Sequence, residues 1–86
     1  MIEGVAIKRD GKLYIMPRPN RHADIVFKVV SEGTLTYPIG DNEQGFYISG
    51  NVFVNRQDAY VHALLCGQIE QGHTLYQDRL SSEDVW

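Results

Sequence analysis

Gly45-Phe46-Tyr47-Ile48-Ser49-Gly50-Asn51-Val52-Phe53-Val54-Asn55-Arg56-Gln57-Asp58 reads as a hairpin that hands over directly to a helix. Gly50-Asn51 is the two-residue turn between an aromatic run and a β-branched run, because both residue types tolerate positive φ. Phe46 and Ile48 then share one face, since side chains alternate along a strand. Asn55 suits an N-cap, and Asp58 puts negative charge in the first turn, where the helix dipole favours it. Ala59, Tyr60, Ala63, Leu64 and Cys66 continue as an apolar helical stripe, and Gly67 fits the left-handed residue beyond a helix end. This pattern predicts a helix over 56–66.

Upstream, Val5 and Ile7, then Leu13 and Ile15, alternate across Asp10-Gly11, a strong hairpin signal that predicts strands at about 4–8 and 12–16. Pro17 and Pro19 stop the ladder because neither can donate a backbone hydrogen bond. The stretch 20–30 is ambiguous. Ile25, Val26, Val29 and Val30 favour a strand, whereas Asn20 followed by apolar positions 23, 26, 27 and 30 fits a capped helix, and the balance leans to a helix near 21–31. Gly33 ends it, and 34–44 reads as a loop with room for a short strand at Leu35 to Tyr37. After Gly67 the chain is mostly polar, with Leu75, Tyr76, Leu80, Val85 and Trp86 spaced as in an extended tail pinned to the body. The expectation is a single α+β domain over 1–86, with short antiparallel strands in two hairpins packed on one main helix and a second, shorter helix.

A chain of 86 residues has room for one hydrophobic core. No apolar run approaches the length of a membrane span, and the amino terminus lacks a basic region followed by an apolar one, so no membrane association and a cytoplasmic location are expected. Eight Lys and Arg against eleven Asp and Glu give a net charge of −3, which argues against long nucleic acid as a partner. A single cysteine excludes an internal disulfide and a CxxC zinc site, and His62 and His73 are too far apart for a short metal motif. No metal and no cofactor are therefore expected. Small domains bury a small fraction of their surface, which makes a homo-oligomer a reasonable expectation. The GxxxxGK, GxSxG and HExxH signatures are missing, and that argues against common enzyme classes.

Three polar constellations remain. Arg21-His22-Ala23-Asp24 at a helix start forms either an anion site of first-turn amides, arginine and histidine, or a polar helix start with a surface arginine. Arg56 sits at another helix start, where a cation opposes the dipole; it either binds an anion or pairs with Glu83 or Asp84. Ser81-Ser82-Glu83-Asp84-Val85-Trp86 ends in the only tryptophan, whose apolar area favours burial. It holds Glu83 and Asp84 in place for ribose hydroxyls, a metal or the arginines, or it is a buried anchor with solvated acids.

Arg21-His22-Ala23-Asp24, the stretch Gly45 to Ala59, Gly67-Gln68-Ile69, Leu75-Tyr76 and Ser82-Glu83-Asp84-Val85-Trp86 together resemble a family of small phage and prophage proteins. The pattern is an RHxD-like start, a glycine-aromatic strand, an FVxRxxA helix entry, a GQ after the helix and a closing SEDLW or SEDLY. This chain differs in having Val85 where leucine is usual, and Asn55 where an acidic residue often precedes the arginine. A phage setting implies interference with host defence by sequestering a nucleotide immune signal, such as a cyclic oligonucleotide or an ADP-ribose derivative. The resemblance gives Arg21, His22, Asp24, Phe46, Arg56, Gln68, Ser82, Glu83, Asp84 and Trp86 a common rationale as ligand-binding residues. Cations would meet phosphate, acids and amides the ribose, and an aromatic face the base. Such a binder needs no catalytic residue. The alternatives are a hydrolase that degrades the signal and a protein-binding inhibitor of a host defence effector.

Overall fold

The computed structural model describes residues 2–70 and 80–86. In chain order they form β1 (Ile2–Arg9), β2 (Lys12–Pro17), α1 (His22–Ser31), a 3-10 turn (Asp41–Glu43), β3 (Gln44–Ile48), β4 (Val52–Asn55), α2 (Arg56–Leu65) and a short α3 (Ser82–Val85). Four antiparallel strands make one sheet in the order β2-β1-β3-β4, so the fold is α+β. Each hairpin supplies one half of the sheet, and β1 and β3 join them at the centre.

Local chemistry accounts for both hairpins. Asp10 and Gly11 adopt φ of 52° and 77°, as a tight turn with two left-handed residues requires. Gly50 and Asn51 also have positive φ, but Ile48 pairs with Val52, so the connection has three residues, Ser49 included, where the sequence predicted two. Register then sets the faces. Val5, Phe46 and Val54 stand in one row towards the helices, while Gly4, Tyr47 and Phe53 stand in a row on the opposite face. On that second face, large rings cover small residues. A Cβ added at Gly4 would lie 2.7 Å from Cε1 of Tyr47, and one at Gly45 would lie 2.8 Å from Cζ of Phe53.

The core gathers Ile2, Val5, Ile7, Ile25, Val29, Phe46, Val54, Ala59, Ala63, Ile69 and Leu80. Burying each large apolar side chain contributes about 1.5–3 kcal/mol. α2 follows its sequence reading closely. Oδ1 of Asn55 accepts from the Asp58 amide at 2.8 Å, Ala59 and Ala63 face inward, and Gly67 takes φ of 79° beyond the end.

α1 departs from its reading in two ways. Its N-cap is Arg21, not Asn20, and its buried face is His22, Ile25 and Val29. The stripe at 23, 26, 27 and 30 points elsewhere: Ala23 is exposed, Val26 and Val30 are half-buried, and Phe27 is 75% exposed. The two helices are equal in length at ten residues each. No strand forms at 35–37, and the end of the chain closes in the short helix α3 where an extended run was expected. His73, Leu75 and Tyr76 lie outside the described residues.

One ion pair ties the 34–43 loop to the sheet. Arg9 on β1 forks onto Glu43, with Nε to Oε2 at 2.6 Å and Nη2 to Oε1 at 2.8 Å, and also donates to the carbonyls of Thr36 and Pro38. The Gly40 amide donates to the same carboxylate at 2.7 Å. These donors, Arg9 first, hold the Glu43 carboxyl down at about 2, against an ordinary value of 4.5. A carboxyl held low in the fold stabilises it fully above the unfolded value and loses that contribution as pH falls towards the folded one. At about pH 6 the native protein should therefore melt above Glu43→Gln, and the gap should close as pH drops from about 4.5 towards 2. Thermal midpoints of both proteins across that range check this. A gap that does not depend on pH would show that the carboxylate charge contributes nothing.

Candidate functional site

Residues 80–86 lie on the body through contacts at both ends. Leu80 is fully buried; its amide donates to the Arg56 carbonyl at 3.3 Å, and its carbonyl accepts from Nη1 of Arg56 at 3.0 Å. Nη2 of Arg56 reaches Oε1 of Gln44 at 3.3 Å. An arginine at a helix start thus finds its reason in a carbonyl and an amide oxygen. Ser82 is 1% exposed, and Asp84 turns back onto Ser81, accepting from its amide at 2.8 Å and its hydroxyl at 2.9 Å. That is the capping arrangement a helix start calls for.

At the other end, Nε1 of Trp86 donates to the Asn20 carbonyl at 2.8 Å, and the carbonyl of Trp86 accepts from Nη2 of Arg21 at 2.9 Å. The indole packs nearly perpendicular to the Phe46 ring at 6.1 Å between ring centres, and His22 does the same at 4.9 Å. Edge-to-face contact of this kind suits the ring quadrupoles. Nε2 of His22 lies 2.6 Å from the Gly45 carbonyl, which places a proton on that nitrogen. Asp24 caps α1 by accepting from the Arg21 amide at 2.7 Å.

Of the residues singled out in the sequence, the structure therefore gathers Arg21, His22, Phe46 and Trp86 around one aromatic cluster. Ser82 lies in the same docked segment, whose other end Arg56 of α2 holds through Leu80. Gln68 engages elsewhere: its amide group forms two bonds to the backbone of Ile2, accepting at 2.7 Å and donating at 3.2 Å. The Glu83 side chain lies outside the described set. Among the described residues, no group of three His, Cys, Asp or Glu side chains could hold a metal ion, and no helix is long and apolar enough to cross a membrane.

A second feature went unread in the sequence. Where β1 begins, β2 ends and β3 turns into β4, Glu3, Pro17, Arg18, Tyr47, Ile48, Ser49, Gly50 and Asn51 enclose an open hollow of about 360 Å³. The Arg18 amide donates to the Glu3 carbonyl at 3.0 Å, which fixes the two main chains together at its rim. Among the described residues the ion pair is Arg9–Glu43, so Arg18 and Glu3 line the same hollow without pairing. The signal available was an arginine flanked by two prolines, a segment that reads most simply as a strand end.

No curated protein and no solved structure matches the chain. The family model described as Phage T4 y16D protein matches residues 1–86, and the chain belongs to that phage protein family.

Proposed function

We propose that this phage protein is a non-catalytic binder of a small phosphorylated nucleotide, which it withholds from a host defence effector, and that the ligand seats in the hollow at the end of the sheet. The observation that carries this reading is that Arg18 and Glu3, which form no ion pair among the described residues, line one 360 Å³ space. Small-ligand sites fall at roughly 300–1,000 Å³ and combine apolar walls with a few polar groups. Tyr47 and Ile48 supply the wall, while Ser49 and Asn51 add side-chain donors and acceptors. A guanidinium contacts phosphate oxygens through two parallel bonds, and a carboxylate accepts from ribose hydroxyls. By contrast, Arg21, His22, Asp24, Arg56 and Asp84 have partners within the chain. A ligand at Arg21, Arg56 or Asp84 would have to displace contacts made by the 80–86 segment, and one at His22 or Asp24 would compete with the Gly45 carbonyl or the Arg21 amide.

Isothermal titration against cyclic dinucleotides and ADP-ribose derivatives tests the reading. At least one should bind below about 10 μM, equivalent to about −7 kcal/mol. Arg18→Ala should weaken that binding by about tenfold or more while leaving the thermal midpoint nearly unchanged, because the side chain is exposed. Bound ligand released by heat should be chemically intact; recovered fragments would indicate a hydrolase. Failure of the whole panel to bind, or full affinity in Arg18→Ala, would overturn the proposal.

A further inference from the structure

We propose that the outward face of α1 seats a second copy of this chain, helix against helix and antiparallel. This rests on a surface separate from the ligand hollow. Ala23, Val26, Phe27, Val30, Ser31 and Tyr37 line a concavity of about 390 Å³ that is almost wholly apolar. Its rim is unusually exposed for such residues, with Phe27 at 75% and Tyr37 at 68%. Scattered exposed apolar residues are ordinary; an apolar hollow lined by two largely exposed aromatics marks an interaction surface.

The spacing fits the same face of another copy. Positions 23, 26, 27 and 30 are symmetric about the midpoint between 26 and 27. An antiparallel partner therefore sets its Val30 against Ala23, large against small, and its Phe27 against Val26. Each chain supplies one projecting phenyl ring and one hollow floored by Val26 and Val30, as a two-fold interface requires. Charge selects the direction. Asp24 and Lys28 stand on the solvent side of this face, both exposed. In the antiparallel arrangement, Asp24 of one copy and Lys28 of the other lie about 1.5 Å apart along the helix axis. In a parallel two-fold pair the two Asp24–Lys28 rows would fall on opposite flanks of the interface, and this cross-pairing could not form.

Sedimentation velocity over a concentration series reads the result. The native protein should pass from monomer to dimer in the micromolar range, and Phe27→Glu should remain monomeric at the highest concentration with its thermal midpoint within a few degrees of native. Lys28→Glu should raise the dimer dissociation constant several-fold at low salt, with the difference shrinking at high salt as surface charges are screened. A native protein that stays monomeric throughout overturns the proposal and leaves the face to a different protein. A dimer that survives Phe27→Glu moves the interface elsewhere, and an unchanged constant in Lys28→Glu overturns the antiparallel register.

Discussion

Phe46→Ala is expected to lower the free energy of unfolding by about 3–5 kcal/mol, the range for removing a buried phenyl ring from a close-packed core. The ring is fully buried and stands in the central strand β3, in register with Val5 on one side and Val54 on the other. His22 from α1 and Trp86 from α3's end also pack against the ring, each nearly perpendicular to it. Truncation therefore opens a cavity at the point where the sheet, the first helix and the docked segment meet. Neither the helix nor the docked segment can close the gap freely, because His22 is held on Gly45 and Trp86 on Asn20. For a domain of this size, 1 kcal/mol shifts the thermal midpoint by about 4–8 °C, so the variant should melt at least about 12 °C below native. Calorimetry measures the shift. Fluorescence of Trp86, the only tryptophan, should move to the red in the folded variant as the indole loses its ring contact. A shift below about 4 °C would mean that the surrounding groups collapse into the space.

What could be read from the sequence was what neighbouring residues determine. Asp10-Gly11, Gly50-Asn51, Asn55 and Gly67 each carry a backbone requirement that few other residues meet, and each sits at a turn or helix end as expected, although the second turn also takes in Ser49. The orientation of α1 was hidden for a physical reason. The helix is apolar on two adjacent faces, Ile25 and Val29 on one and Ala23, Val26, Phe27 and Val30 on the other, so its periodicity cannot say which meets the sheet. The sheet decides, by offering the Gly45 carbonyl to His22. The polar residues posed a different difficulty. Arg21, Arg56, Gln68 and Asp84 stand out because charged and amide side chains at helix starts and in tails look poised for a ligand. A buried backbone needs the same donors and acceptors, and only coordinates show that these four engage Trp86, Leu80, Ile2 and Ser81. Arg18 was passed over because its neighbours Pro17 and Pro19 mark the end of a strand, and the hollow beside it is built by β1 and β3, distant in sequence.

Arg56→Ala is expected to cost about 2–3 kcal/mol, the scale of hydrogen bonds in which one partner is charged. The guanidinium joins two parts of the chain that nothing local connects, the Leu80 carbonyl and the Gln44 side chain, while its own carbonyl accepts from Leu80. Removing it strips the Leu80 carbonyl of this donor beside a fully buried side chain, where water is poorly placed to substitute. The loss should appear first as release of residues 80–86. Hydrogen exchange at Ser82 to Trp86 should quicken before that of the sheet, with a red shift of Trp86 emission below the global midpoint. Arg56→Lys should recover only part of the difference, because an ammonium cannot span two acceptors as a planar fork does. The same variant separates structure from ligand capture. If the nucleotide sits beside Arg18, Arg56→Ala should retain its affinity once corrected for the folded fraction. A tenfold loss of affinity in protein that is still fully folded would instead return Arg56 to the ligand, and would mean that the 80–86 segment yields its place when the nucleotide binds.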